Sequence, residues 1–455
     1  MSVSFVPDEQ WFRSRDGLGV LAGSPLSFFR VSPAGAHVLN AIQNGSPLPP
    51  QHEQLTDRLL QAGAIHPVPT RLSSVSDITV VIPVFISDQA QLSQLHSLIT
   101  SLAGLEIVIV DDCSPVDVTA NGATVVRHRS NLGPGAARNT GLERVATPFV
   151  AFIDDDTEVT TNNILQLAAY FEDPSTVMVA PRVLTPNTNT SISEYESHHS
   201  PLDLGTHPAV VRPLSRVSYI PAAVTVVRTE TIRSIGGFLP TMRLGEDVDL
   251  VWRLAKTGGI IRYVPHIECV HQPRQSIRAL LRQRFGYGSS AAHLDSLHPR
   301  TAAPLRTHAL FLFPTLLLLS GYLYLAALTL PVVFAFFIFF LRKTGLSLRQ
   351  RIQVTFIGLM AAIRLTATAI IRVWWPIFFV LGAYFLRPGF ALVVCAFFPV
   401  MVGLIRYKPS YPLTYSVLRV IDPIAYGTGV WAGAIRRRSL RCLLPVITVR
   451  RSSAR

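Results

Sequence analysis

The run FVAFIDDDTEV, residues 149–159, ends an apolar stretch in the carboxylates Asp154, Asp155 and Asp156. Single aspartates commonly cap helices or close turns by accepting backbone N–H bonds. Three in succession, with Glu158 close behind, repel one another and tolerate each other better around a cation. In an extended segment alternate residues share a face, so Asp154 and Asp156 can meet one cation while Asp155 points elsewhere. Carboxylate oxygens suit hard divalent ions such as Mg²⁺ or Mn²⁺. Mg²⁺ keeps several waters and binds through one or two carboxylates plus substrate phosphates, so a D-x-D at a strand end suits a nucleoside diphosphate.

Further groups carry chemistry. RSNLGPGAARNTG, residues 129–141, is a glycine-bearing turn into a helix that holds Arg138. A helix N-terminus and a guanidinium both favour phosphate oxygens. The turn is not a dinucleotide fingerprint: the third glycine is missing and polar RHRSN, not the first strand, precedes it. No G-x-x-x-x-G-K-[ST] occurs, which argues against a P-loop ATPase. In GEDVDLVWRLAKTGG, residues 245–259, Glu246 and Asp247 sit where a helix starts. Acids there also complement the helix dipole, so the pair alone is ambiguous. His271 follows a strand-like segment, and a lone histidine of this kind is more often structural than a ligand.

The elements must deliver these groups to one place. ITVVIPVF (78–85) is a nearly continuous β-branched run, suited to a strand buried on both faces. QLSQLHSLITSLAGL places Leu92, Leu95, Ile99 and Leu102 on a helical stripe. EIVIVDDCS is a second strand ending in Asp111 and Asp112, TVVRH a third, GAARNTGLERVA a helix and PFVAFIDDD a fourth strand. This repetition predicts an α/β fold with a doubly wound, mostly parallel sheet, which binds ligands at the carboxyl ends of its strands. Asp111, Asp112 and Asp154 to Asp156 all lie at such ends and can converge on one crevice.

Three regions separate by composition. Residues 1–70 read as a small domain with helices marked by Ala36, Leu39 and Ile42 before Gly45, and by Leu55, Leu59 and Leu60 before Gly63. Residues 77–300 carry the strand–helix alternation, and 306–455 form a membrane-like helical region with a basic tail. Asp422 is the only acidic residue after residue 300, while Lys and Arg flank long apolar runs. The net charge of +13 therefore points to lipid rather than nucleic acid. Residues 309–341 hold no charge, exceed the roughly 20 residues of one span and lie between basic flanks, so they predict a hairpin turning near Gly321 or Pro331. IQVTFIGLMAAIRLTATAIIRV, with Arg364 and Arg372, reads as interfacial, and IRRRSLRCLLPVITVRRSSAR as a basic surface anchor or a disordered terminus. The N-terminus lacks an apolar signal core and the four cysteines share no CxxC spacing, so a cytosolic, zinc-free and disulfide-free catalytic region is expected.

The order strand-Pro83, strand-Asp111-Asp112, NxGxxxARN, strand-DxD, GEDxDL and a late His271 resembles the family 2 glycosyltransferases, inverting enzymes of the GT-A fold. The resemblance covers about residues 77 to 300. It implies a UDP-sugar donor with Mn²⁺ or Mg²⁺, and a nucleotide site of Pro83, Asp111, Asp112, Arg138 and Asp154, with Arg138 near the diphosphate. It further implies metal ligands among Asp154, Asp156 and His271, with Asp247 of the Glu246–Asp247 pair as general base. The first 70 residues look like the PqqD-like winged-helix chaperones, which bind precursor peptides by strand addition. Head, transferase and membrane tail, with DPIAYGTGVWAGAIRRR, together resemble the glycosyltransferases of the mycofactocin system. That resemblance implies a peptide-derived redox cofactor as acceptor and β-1,4-linked glucose as product. Gln283 and Arg284 lack the spacing and the Trp of the Q-x-x-R-W motif of processive relatives, which leaves chain extension open. Other readings of the residues are a transferase acting on polyprenyl-phosphate lipid or exopolysaccharide, a nucleotidyltransferase, and an inactive GT-A-like membrane-anchored binding protein. The expected location is the cell membrane, multi-pass or monotopic, with the catalytic domain cytoplasmic.

Overall fold

The strand Ile78–Val84 is buried at every position, as its β-branched run requires. In the computed structural model, which describes residues 4–49 and 52–448, it lies within a nine-stranded sheet. Glu106–Asp111 runs parallel on one side and Phe149–Ile153 parallel on the other. Thr124–Arg127 extends the first side, also parallel. The chain thus moves outward over three strands and returns across the first to place the fourth. Such a reversal opens a crevice at the carboxyl ends. The later strands add mixed pairing: Val224–Arg228 inserts antiparallel between Phe149–Ile153 and Thr176–Leu184, while Thr176–Leu184 and Ile260–His271 run parallel. The helix Pro134–Arg144 comes close to the central strand because residue 141 is glycine; a Cβ there would lie 2.3 Å from Val81 Cγ1.

The N-terminal residues fold as their signals predict. Ser32 caps Pro33–Asn44 by accepting from the Gly35 N–H at 3.2 Å, and Gly45 ends that helix at φ 65°. Glu53–Gln61 follows, and Ile65–Val68 pairs antiparallel with Ser4–Pro7. Yet this head does not stand apart. Its core of Leu39, Ile42, Leu59 and Ile65 continues into Val210 and Ile260 of the large sheet. Asp8 also takes hydrogen bonds from His66 Nε2 at 3.1 Å and Arg216 Nη2 at 2.8 Å. Head and sheet form one compact unit, residues 1–11, 17–186 and 196–273.

The second unit comprises residues 12–16, 187–195 and 274–455, so it begins earlier than the composition break near 300. The basic helix Ile277–Ser289 belongs to it, packed on Pro412–Arg436 through glycines: a Cβ on Gly429 would sit 2.0 Å from the Phe285 carbonyl oxygen. Within this unit Asp422 accepts from Arg284 Nε at 3.1 Å and from the Tyr195 hydroxyl at 3.0 Å. Among the described residues three helices are long and apolar enough to cross a membrane: Leu323–Thr344, Leu348–Tyr384 and Leu386–Tyr407. The expected hairpin turns at Gly321, between Ala309–Leu319 and Leu323–Phe340, and Pro331 stays inside the second arm. Residues 352–373, expected at an interface, lie within the Leu348–Tyr384 helix, which is among the three long and apolar enough to cross a membrane. Residues 449–455 of the basic tail lie outside the described residues.

Candidate active site

The crevice is organised around one buried guanidinium. Arg138, on the helix Pro134–Arg144, donates from Nη2 to Asp154 Oδ1 at 2.7 Å and from Nη1 to Glu246 Oε1 at 3.0 Å. Its guanidinium carbon lies 5.2 Å from the Phe238 ring centroid. Burial disfavours its charge, but Asp154 and Glu246 outweigh that and hold the guanidinium well above the usual arginine range. Arg138 therefore joins the end of the strand Phe149–Ile153 to the start of the helix Glu246–Lys256. Sequence reasoning placed it near a diphosphate; in the structure two of its nitrogens bond carboxylates.

Asp154 to Asp156 do not continue the strand. The chain turns, with the Thr157 N–H donating to the Asp154 carbonyl at 3.2 Å, before the short strand Thr157–Glu158. Asp154 and Asp156 take different partners. Asp156 Oδ1 meets His271 Nε2 at 3.2 Å, because Thr157 pairs with His271 in an antiparallel ladder. The expected three-residue metal set is thus split into Asp154 with Arg138 and Asp156 with His271. No group of three or more His, Cys, Asp or Glu in metal-holding array occurs among the described residues. Asp156 and His271 still offer oxygen and imidazole donors suited to a divalent ion that takes its other ligands from water and phosphate. Burial, then the Asp156 and Asp154 charges, push Asp155 up to about 7, a crowding that a cation would relieve.

Glu246 and Asp247 open their helix after Gly245, whose φ of 79° is a left-handed conformation that glycine adopts without strain. Burial and then the neighbouring Asp247 push Glu246 to about 7, against the pull of Arg138. Burial likewise raises Asp247, while the Val248 N–H, donating at 2.8 Å, and then Arg138 draw it back. Asp247 keeps partial solvent access and, unlike Glu246, makes no ion pair with Arg138 within 4 Å. A carboxylate of raised basicity at a crevice can accept a proton near neutral pH.

The strand-end residues divide by role. Pro83 is buried in Ile78–Val84 opposite Val110. Asp111 accepts from the Ser114 N–H at 2.8 Å and pairs with Arg127. Asp112 accepts from the N–H groups of Leu132 at 2.8 Å and Gly133 at 2.7 Å, and from His128 Nδ1 at 2.8 Å. It therefore builds the turn that launches the Arg138 helix. Three supporting residues were missed in the sequence. Asn139 clamps Phe238 through both its backbone N–H and its carbonyl, each at 2.8 Å. Asp249 holds Arg253 at 2.7 Å, and Arg253 donates to the Ile235 and Gly237 carbonyls, fixing the loop before Glu246. ARN and EDxD spacing was the available signal, since each motif carries a bracing residue, Asn139 or Asp249, beside its chemical ones.

Residues 79–225 match the family described as Glycosyl transferase family 2, and a named glycosyltransferase aligns along almost the entire chain. The chain belongs to the family 2 glycosyltransferases. The aligned relative is the Pre-mycofactocin glycosyltransferase of Mycobacterium tuberculosis (strain ATCC 25618 / H37Rv), 36% identical over 454 residues, covering 95% of this chain and 95% of that protein. The Succinoglycan biosynthesis protein ExoW of Rhizobium meliloti (strain 1021) is 32% identical over 105 residues, 20% of this chain and 33% of its own. A solved mannosyltransferase, PcManGT from Pyrobaculum calidifontis in complex with GDP-Man and Mn²⁺, aligns over 84% of this chain and 93% of its own at 14% identity and TM-score 0.42.

Proposed function

We propose that this glycosyltransferase moves a hexose, glucose from UDP-glucose, onto a hydroxyl of a peptide-derived redox cofactor, mycofactocin or its precursor, with inversion at the anomeric carbon. The observation that carries the reading is Arg138, which ties the carboxylate at the D-x-D strand end to the carboxylate pair opening the helix Glu246–Lys256. Acceptor identity rests on the 36% identity to the Pre-mycofactocin glycosyltransferase. Glucose, and extension into a β-1,4-glucan, rest on family resemblance. The head is read as a PqqD-like winged-helix domain that presents the peptide-derived acceptor. The membrane helices and their basic ends support a cell-membrane location with the transferase unit in the cytoplasm.

In this reading the nucleoside diphosphate occupies the crevice at the carboxyl ends of Ile78–Val84, Glu106–Asp111 and Phe149–Ile153, with Pro83, Asp111 and Asp112 at the nucleoside end. Asp156 and His271 would hold the Mn²⁺ or Mg²⁺, which supplies neutralising charge to the diphosphate when bound. Asp247 accepts the proton of the acceptor hydroxyl as its oxygen attacks the anomeric carbon in line with the departing diphosphate. Arg138 keeps Asp154 and Glu246 in place on either side of that path.

The test is release of UDP from UDP-glucose by the purified, detergent-held protein, with host extract supplying acceptor and with Mn²⁺, Mg²⁺ or chelator present. Release should require the metal. It should fall about 10²- to 10⁴-fold in Asp247→Asn, the range for loss of a general base, and strongly in Asp156→Asn. Release unchanged in both variants would overturn the site assignment.

A further inference from the structure

The second unit contains two apolar hairpins whose tips meet. One turns at Gly321, between Ala309–Leu319 and Leu323–Phe340. The other turns at Phe385, between Trp375–Tyr384 and Leu386–Tyr407, where Gly382 and Gly389 approach so closely that a Cβ on Gly382 would lie 2.8 Å from Gly389 Cα. Arg387 Nη1 donates to the Gly321 carbonyl at 2.9 Å, and its guanidinium carbon lies 4.7 Å from the Tyr322 ring centroid. A Cβ on Gly321 would stand 2.8 Å from the Phe390 ring, so the glycine is what lets the tips touch.

The chemistry of the two ends differs. At the shared tip, Tyr324, Tyr384 and Leu386 are 85%, 80% and 83% exposed, and Arg387 is the single charged side chain between Arg372 and Arg406. Toward the opposite ends stand Arg342, Lys343, Arg349 and Arg351 on one side of the sequence, and Arg406 and Lys408 on the other. Tyrosines collect at membrane–water interfaces, and basic residues mark the cytoplasmic end of spans. The candidate spans Leu323–Thr344 and Leu386–Tyr407 have 22 residues each. At ~1.5 Å per residue each reaches roughly 33 Å, matching a hydrocarbon core of about 30 Å. Ala309–Leu319 is about half as long. Phe311 stacks on Phe337 at 4.3 Å, so this arm starts alongside the basic end of its partner helix and runs toward the tip.

We infer that the paired tips, Gly321–Tyr324 and Tyr384–Gly389, cross the bilayer together and rest among the phospholipid headgroups of the leaflet opposite the basic ends. The partner is a phosphate-bearing lipid surface, met by Arg387 and the tyrosine hydroxyls. The inference rests on the membrane reading above and chooses the multi-pass over the monotopic arrangement that the sequence left open. Three crossings plus one shorter arm return the chain, after residue 407, to the side from which residue 309 set out.

The experiment is cysteine accessibility in full-length protein expressed in bacterial spheroplasts, probed with a membrane-impermeant maleimide before and after lysis. The variants are Tyr324→Cys, Leu386→Cys and, as the opposite-side control, Arg437→Cys, with the wild-type chain as the background for its four cysteines. The tip variants should label in intact spheroplasts and Arg437→Cys only after lysis. Tip cysteines that label only after detergent would place the tips inside the bilayer and overturn the inference while leaving membrane attachment standing. Labelling of Arg437→Cys alone in intact spheroplasts would invert the orientation and overturn it too. Recovery of the protein in the soluble fraction after carbonate washing would sink the membrane reading itself.

Discussion

Arg138 shows how a residue can be legible in type while its partners are not. A helix-borne arginine after a glycine turn suggested a phosphate ligand, and only the fold reveals that Asp154 and Glu246, 92 residues apart in sequence, converge on it. A guanidinium so engaged acts through the carboxylates it orients. Arg138→Met should lower kcat by about 10²-fold, the cost of misplacing a reacting group by roughly 1 Å. UDP affinity, measured by calorimetry with Mn²⁺ present, should change far less. Lost affinity with kcat preserved would return the guanidinium to the diphosphate. The bracing that Asp112 gives the turn was hidden for a similar reason: its three hydrogen-bond donors lie 16 to 21 residues downstream, beyond any local motif. His271 was a weak candidate in sequence and gained weight only from its register opposite Thr157.

At the level of elements, the parallel strands were legible because burial on both faces writes an unbroken apolar run. The antiparallel insertion of Val224–Arg228 was not, since its nearest paired residues lie 47 and 71 residues away. Nor did the head's sequence announce its docking, which uses Val210 and Ile260. The same seam carries a pH dependence. Burial favours a raised Asp8, but hydrogen bonds from His66 and Arg216 hold it at about 2, below its ordinary 3.8. Burial lowers His66 below its ordinary 6.5 despite Asp8. Both folded-state values are depressed, so both groups stabilise the fold at neutral pH. As acidity rises, the unfolded chain takes up the His66 proton first, below 6.5, and the Asp8 proton below 3.8. Thermal unfolding should therefore move to lower temperature as pH drops from 7 toward 5, and His66→Gln should flatten that slope. An unaltered slope would count against the seam as its origin.

Across the whole molecule, the single acid of the C-terminal region was visible from the start, without any sign of what it served. Asp422 receives Arg284 and Tyr195, the latter from a segment 227 residues earlier, and so gathers distant stretches of the second unit around one largely buried charge pair. Removing one partner of such a pair leaves the other charge stranded, at a cost of about 3–5 kcal/mol. Asp422→Asn should lower the unfolding temperature of the detergent-held protein well beyond Tyr195→Phe, which loses one hydrogen bond worth about 1 kcal/mol. Equal shifts would mean that the hydroxyl, not the ion pair, is the tie.

The core shared by Leu39, Leu59, Val210 and Ile260 also bears on ancestry. A module joined to its neighbour by a linker can be traded by recombination at the linker, and each half survives the exchange. Here the seam residues lie on both sides of any cut near position 70, so a transplanted head would meet a foreign sheet margin. Heads and transferases of this kind should descend as matched pairs, and a chimera should fold only when Val210, Arg216 and Ile260 travel with the head they fit.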